Sequence, residues 1–187
     1  MHQIDDVASQ AYTAWDLFEF ERAAELFELA ATLEKEAATE RGPFAQPDQS
    51  FLFRLRGALC HWDSGSFERA RKTLLDALVF DWKAARLWGD RRDTEKAFTR
   101  LLMERASASD HVGFVSLWQL ATGRGEELNL PFPFVVPHQK QLLRACVSLG
   151  FHQGCRQIIE RIDPKRLKVD HELQMLKAEA DRFTGPG

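Results

Sequence analysis

The sequence predicts an all-α protein built from helical hairpins, and three observations carry this prediction. Apolar residues recur at three- and four-residue steps along most of the chain, the spacing of one helix face. Breakers such as Gly42-Pro43 and Asp163-Pro164 separate these periodic segments. The decapeptide AWDLFEFERA (14–23) returns as HWDSGSFERA (61–70) with six identities. A repeated phrase of this kind indicates a repeated supersecondary unit.

The first half of the chain contains two predicted helix pairs. Their helices are expected over 4–15, 20–38, 50–63 and 67–80. The first pair ends at the breaker RGP (41–43). In the second pair the turn SGS (64–66) separates the helices, and Ser66 is the expected N-cap. Two clear units therefore span about 4–40 and 50–82.

The second half is predicted to be helical too, with a weaker pattern. Its helices are expected over 93–106, 109–121, 139–149, 152–162 and 169–183, which gives eight or nine in total. Gly123 and Gly125 are expected to close the second of these. The segment LNLPFPFVVPH (128–138) is predicted to be non-helical, because its three prolines are incompatible with a helix interior. The helices group into degenerate pairs at about 93–123 and 139–162 and a closing helix.

Both copies of the decapeptide continue into compatible patterns of small and large residues. The first reads Ala23-x-x-x-Phe27-x-x-Ala30, the second substitutes Leu74 for the phenylalanine, and Phe20 and Phe67 are expected to be shared core positions. This pattern resembles the tetratricopeptide repeat (TPR), a helix–turn–helix unit of about 34 residues. The chain departs from the family in its period of 47 residues and in lacking the opening tryptophan and the terminal proline. The resemblance implies a single domain over 1–187, a short TPR-like α-solenoid of stacked antiparallel hairpins.

The resemblance also implies a groove lined by the first helix of each pair. The residues that would face it are Tyr12, Trp15, Asp16, Leu59, Trp62 and Asp63. The alternative is that both tryptophans pack inside their hairpins, as aromatic residues at helical spacing commonly do.

Charge favours a protein partner over nucleic acid. Residues 1–40 carry ten acidic and two basic side chains, a net charge of −8, whereas the whole chain carries −3. Such an asymmetry of charge favours electrostatic steering of a protein partner. The alternative is that the acidic residues only form a solvated helix face. The cluster of Arg86, Trp88, Arg91 and Arg92 is a candidate RNA or protein contact, but a pI of about 6.1 argues against a general nucleic-acid binder. Phe132 and Phe134 form an apolar patch that either meets a partner or seals a helix face.

No catalytic motif is recognised in the sequence. Glycine-rich phosphate loops, H-E-x-x-H and G-x-S-x-G do not occur. Cys146, His152 and Cys155 match no metal-ligand spacing. The three cysteines of the chain, Cys60, Cys146 and Cys155, are interpreted as reduced core residues. We therefore expect no metal, no cofactor and no catalytic residue. A signal peptide and a membrane span are not predicted, so we expect a cytoplasmic protein.

These observations predict a non-catalytic protein-binding module that uses a helix-lined groove. A small bacterial immunity or adaptor protein fits this description best. The alternatives are a secretion chaperone and a structural homo-oligomer, with an enzyme and an RNA binder less favoured.

Overall fold

The prediction of an all-α fold is confirmed by the computed structural model of the chain. The structure describes residues 2–40, 48–80, 91–127 and 132–183, and within these ranges it contains helices and no strand. The helices are α1 His2–Asp16, α2 Phe20–Glu40, α3 Ser50–Asp63, α4 Phe67–Phe80, α5 Arg91–Ser107, α6 His111–Glu127, α7 Val136–Ser148, α8 His152–Arg161, α9 Pro164–Val169 and α10 His171–Phe183.

The chain divides into two compact units, Met1–Ala97 and Phe98–Gly187, with the boundary inside α5. In the first unit α1 packs against α2, α2 against α3, and α3 against α4. The buried face of its first hairpin is rich in alanine, and this allows the helices to approach closely around the fully buried ring of Phe27. The single-domain arrangement stays a prediction.

In the second unit an aromatic cluster forms much of the core. Trp118 stacks against Phe114 and meets Phe132 and Phe151 edge-on, with ring centroids 5.5–6.1 Å apart. Its indole Nε1 donates to Gln157 Oε1 at 2.8 Å, so its polar atom is satisfied. Helices α7, α8 and α10 pack against one another in the same unit.

One turn geometry joins four helix pairs. The connections are Leu17–Glu19, Ser64–Ser66, Ala108–Asp110 and Leu149–Phe151. In each, the amide of the third residue donates to the carbonyl five residues earlier, and the amide of the second donates to the carbonyl three residues earlier, at 2.8–3.0 Å. The second residue always has a positive φ, between 54° and 86°. This is the Schellman motif, which satisfies the last carbonyls of a helix. The same helix–turn–helix connection therefore occurs four times among the residues that the structure describes.

Several predicted boundaries differ from the observed ones. Helix α6 continues through both glycines to Glu127, because one glycine costs only about 1 kcal/mol in a helix. Helix α7 begins at Val136 and holds Pro137 in its first turn. A proline is tolerated there because the backbone N–H that it lacks would make no hydrogen bond within the helix. The predicted break at Asp163-Pro164 instead starts the short helix α9, with Asp163 Oδ1 accepting from the amide of Lys165 at 2.9 Å.

The predicted core role of Phe20 and Phe67 is corrected. Phe67 is 48% exposed and Phe20 is half-buried. Each begins the second helix of its hairpin, at the edge of the unit, where Phe67 packs on the ring of Trp62 at 5.4 Å. The positions that the two copies share as fully buried are instead Ala11 with Ala58, Ala23 with Ala70, and Phe27 with Leu74.

Candidate functional site

A groove of about 500 Å³ lies in the first unit, at the end of α1 and beside α3 and the start of α5. We call it the Trp15 groove. It is lined by four aromatic residues, three carboxylates and two cations: Tyr12, Trp15, Phe18, Phe20, Asp16, Asp63, Asp93, Arg56 and Lys96. Four of the residues predicted from sequence, Tyr12, Trp15, Asp16 and Asp63, are therefore brought together.

Arg56 joins three helices at one end of the groove. Its Nε donates to Asp93 Oδ2 at 2.9 Å, and both side chains are about 85% buried, being 13% and 15% exposed. The guanidinium carbon lies 5.0 Å from the centre of the Tyr12 ring, and Nη1 also donates to the Tyr12 hydroxyl. A charge-assisted hydrogen bond and a cation–π contact thus hold α3 against α1 and α5.

Lys96 makes a similar arrangement with Trp15. Its Nζ lies 5.6 Å from the Trp15 ring centre and 3.8 Å from Asp63 Oδ2. The same indole meets the buried ring of Phe27 edge-on, at 5.6 Å and 88°. Trp15 therefore packs against the core and also lines the groove, so the two alternatives weighed for it from sequence are not exclusive.

Three of the lining residues, Asp16, Phe18 and Phe20, lie where α1 ends and α2 begins, and we call them the rim of the groove. Phe18 is 77% exposed and has a φ of +61°, and its ring meets that of Phe20 edge-on at 5.9 Å. The carboxylate of Asp16 is exposed and has no ion pair or hydrogen bond within the described part of the chain. The positive φ of Phe18 is a left-handed backbone conformation that a bulky side chain rarely adopts, and it costs about 1–2 kcal/mol. The rim thus combines a disfavoured, solvated aromatic residue with an available carboxylate.

Phe18 was not predicted from the sequence to be a site residue, and Phe20 was predicted to lie in the core. A signal was available in the aligned decapeptides, where Phe18 corresponds to Gly65. Glycine is the usual residue at the left-handed position of a helix end, so a phenylalanine there departs from what the turn requires.

The other predicted contact residues lie elsewhere. Leu59 is fully buried in α3, and Phe132 is 5% exposed, packed on Phe98 and Trp118 in the second unit. Both are core residues, and for Phe132 this matches the alternative in which the proline-rich segment seals a helix face. Trp62 packs on Phe67 outside the groove lining.

The remaining predicted residues are Phe134, Arg91 and Arg92. Phe134 is half-buried in the second unit, and Arg92 is exposed on α5. Arg91 begins α5, but its side chain lies outside the described structure, as do the connector residues Arg86 and Trp88.

The cysteines are buried free thiols. Burial raises the pKa of Cys146, and the hydrogen bond with Cys146 lowers the pKa of Cys155. Burial thus keeps the thiol of Cys146 neutral, and a neutral thiol is a poor nucleophile and a poor metal ligand. Across the described ranges, no group of three or more His, Cys, Asp and Glu side chains could hold a metal ion.

A membrane span is not found among the described helices, none of which combines the length and the apolar composition that crossing a bilayer requires. Comparison of the chain with protein-family models, with curated proteins and with solved structures finds no match in any of the three.

Proposed function

We propose that this chain is a non-catalytic protein-binding module and that the Trp15 groove is its contact surface. The observation that carries the proposal is the exposed Phe18, held in a disfavoured backbone conformation at the rim of an aromatic groove. Strained, solvated aromatic residues reduce stability and are found where function requires them. Aromatic residues are also enriched among the side chains that dominate binding energy at protein interfaces.

The chemistry of the groove supports binding over catalysis. Arg56 is paired with Asp93, and Lys96 is placed on Trp15 beside Asp63. Catalysis would need a nucleophile or an acid within reach of a matched base, held ready for a reacting atom. Here the charged groups serve to fix the aromatic rings, which suits recognition of side chains from another protein.

The first hairpin supports a partner with a basic surface. The net charge of −8 over residues 1–40 accelerates association with a positively charged protein and suppresses acidic partners. A small bacterial immunity protein or adaptor in the cytoplasm is the role that we favour. A secretion chaperone and a structural homo-oligomer are the alternatives.

The test compares two surface variants of the full chain. Phe18→Asn removes the ring but keeps a residue that tolerates the left-handed turn, so the fold is preserved. Leu29→Gln is the matched control, because Leu29 is 47% exposed on α2 and does not line the groove. Each variant and the wild type are used for affinity capture from the native cell, followed by quantitative mass spectrometry.

We expect a protein that the wild type and Leu29→Gln retain and that Phe18→Asn loses. Sedimentation of the three purified proteins accompanies the capture. A stable wild-type dimer that Phe18→Asn dissociates would favour the homo-oligomer instead. The proposal fails if Phe18→Asn retains the same proteins as the control.

A further inference from the structure

The Trp15 groove contains the same three-part arrangement more than once. An aromatic ring, a cation over its face and a carboxylate beside the cation occur together as Tyr12, Arg56 and Asp93. They occur again as Trp15, Lys96 and Asp63. Since both sets lie in one groove, its walls are suited to holding a positive charge between a ring and a carboxylate.

The rim has two of these three parts. Phe18 and Phe20 supply the aromatic pair, and Asp16 supplies the carboxylate. The nearest cation along the chain, Arg22, is already paired with Glu19 at 2.9 Å on the helix surface. Among the described residues of this unit, no cation is therefore paired with Asp16 beside the Phe18–Phe20 rings.

We propose that the rim binds an arginine side chain of a partner protein, with the guanidinium against the Phe18–Phe20 pair and ion-paired with Asp16. The inference rests on the proposed function and names the chemistry of the partner. Arginine is preferred over lysine because a planar guanidinium stacks on a ring while it donates two parallel hydrogen bonds to a carboxylate.

Charge around the rim supports this assignment. Glu21 is exposed and, like Asp16, has no ion pair within the described ranges. Glu21 also lines the neighbouring concavity of about 450 Å³, which shares Phe18 and Phe20 with the Trp15 groove and contains the Glu19–Arg22 ion pair, whose two charges offset each other. An anionic or purely apolar partner segment would leave these carboxylates without a counter-charge, whereas an arginine flanked by apolar residues matches both the rings and the charge.

The experiment uses the purified full chain and three capped peptides. They share the sequence Gly-Leu-X-Leu-Gly, where X is arginine, lysine or citrulline, the uncharged isostere of arginine. Binding is followed by ¹H–¹⁵N spectra, through the amides of 16–20 and the indole N–H of Trp15. The variants are Asp16→Asn and, as the control, Asp5→Asn, which removes an exposed carboxylate of α1 outside the groove.

We expect the arginine peptide to shift these resonances and the lysine peptide to bind more weakly. Loss of an ion pair with an exposed carboxylate weakens binding by about two- to fivefold, so citrulline and Asp16→Asn should each show this loss while Asp5→Asn does not. Equal binding of the arginine and citrulline peptides would overturn the proposal, as would unchanged binding by Asp16→Asn.

The two proposals fail in different ways. If Phe18→Asn loses a captured protein while Asp16→Asn retains it and the arginine peptide does not bind, the groove binds proteins but the arginine assignment is wrong. If the arginine peptide binds through Asp16 and capture does not depend on Phe18, the arginine site stands and the proposed function is wrong.

Discussion

Replacing Phe27 and Phe67 by alanine tests where the repeated packing pattern is buried. Phe27 is fully buried, and its ring contacts those of Tyr12, Trp15 and Phe53 at centroid distances of 5.1–6.4 Å. Removing such a ring costs about 3–5 kcal/mol, because the lost transfer energy is increased by a cavity. Phe67 is 48% exposed, so Phe67→Ala loses about half of a burial energy of roughly 2–3 kcal/mol and leaves no cavity. We expect a cost near 1 kcal/mol.

The measurement is urea unfolding of both variants and the wild type, followed by circular dichroism and compared at equal m-values. The same substitution in both variants removes the same atoms, so the difference in unfolding free energy reports burial alone. Equal costs for the two variants would refute the assignment of Phe27 to the core and of Phe67 to the edge. A cost below 2 kcal/mol for Phe27→Ala would refute the packing around it.

Three further predictions concern a turn, a buried histidine and a charge network. Gly65→Ala should lower the unfolding free energy by about 1 kcal/mol, since φ is +86° there, as denaturant titration will show. Glu28→Ala should destabilise more than Glu28→Gln, because Glu28 Oε1 lies 2.9 Å from Nε2 of the buried His61; thermal melts compare them. The hydrogen bond from Lys140 lowers the pKa of Asp170, so its stabilisation is present at neutral pH and is lost as pH falls through that lowered pKa. Asp170→Asn should flatten the acid limb of a stability–pH profile.

Helix positions were largely predictable from the sequence because most helices here are amphipathic and are bounded by strong breakers. The observed α3 and α4 begin and end at the predicted residues. The predicted boundaries were wrong where a proline can either end a helix or begin one. Pro137 and Pro164 were interpreted as helix stops. A proline is favourable in the first turn of a helix, however, because an N–H at that position would have no acceptor within the helix.

A buried carboxylate shows a second kind of limit. Glu34 occupies a position of α2 at which the three- and four-residue spacing of the helix face would place an apolar residue. The side chain is nevertheless 4% exposed, and its Oε1 accepts from the amide of Gln49, just before α3, at 3.2 Å. Hydropathy periodicity does not include such long-range hydrogen bonds, so it cannot separate a buried, satisfied glutamate from a solvated one.

Only some of the residues that line the groove could be predicted, again because a local sequence pattern does not report long-range contacts. Trp15 and Asp16 were predicted to face a groove because the repeated decapeptide resembles a tetratricopeptide repeat. Arg56 and Lys96 carry no local signal, because α3 and α5 bring them to the groove from 40 or more residues away in the chain. Contacts of this separation depend on helix packing and leave no pattern in a single segment.

Four turns in the described part of the chain share one backbone geometry but differ in sequence. The Schellman connection requires only a residue that adopts a positive φ, and the chain uses Gly65, Gly150, Ser109 and Phe18. The hydrogen bonds of this turn join backbone atoms, so the turn recurs without a repeated pattern of side chains. Glycine is the least strained choice and phenylalanine the most strained. The copy that departs furthest from what folding favours is the one whose turn forms the rim of the groove, as expected if its ring is retained for binding.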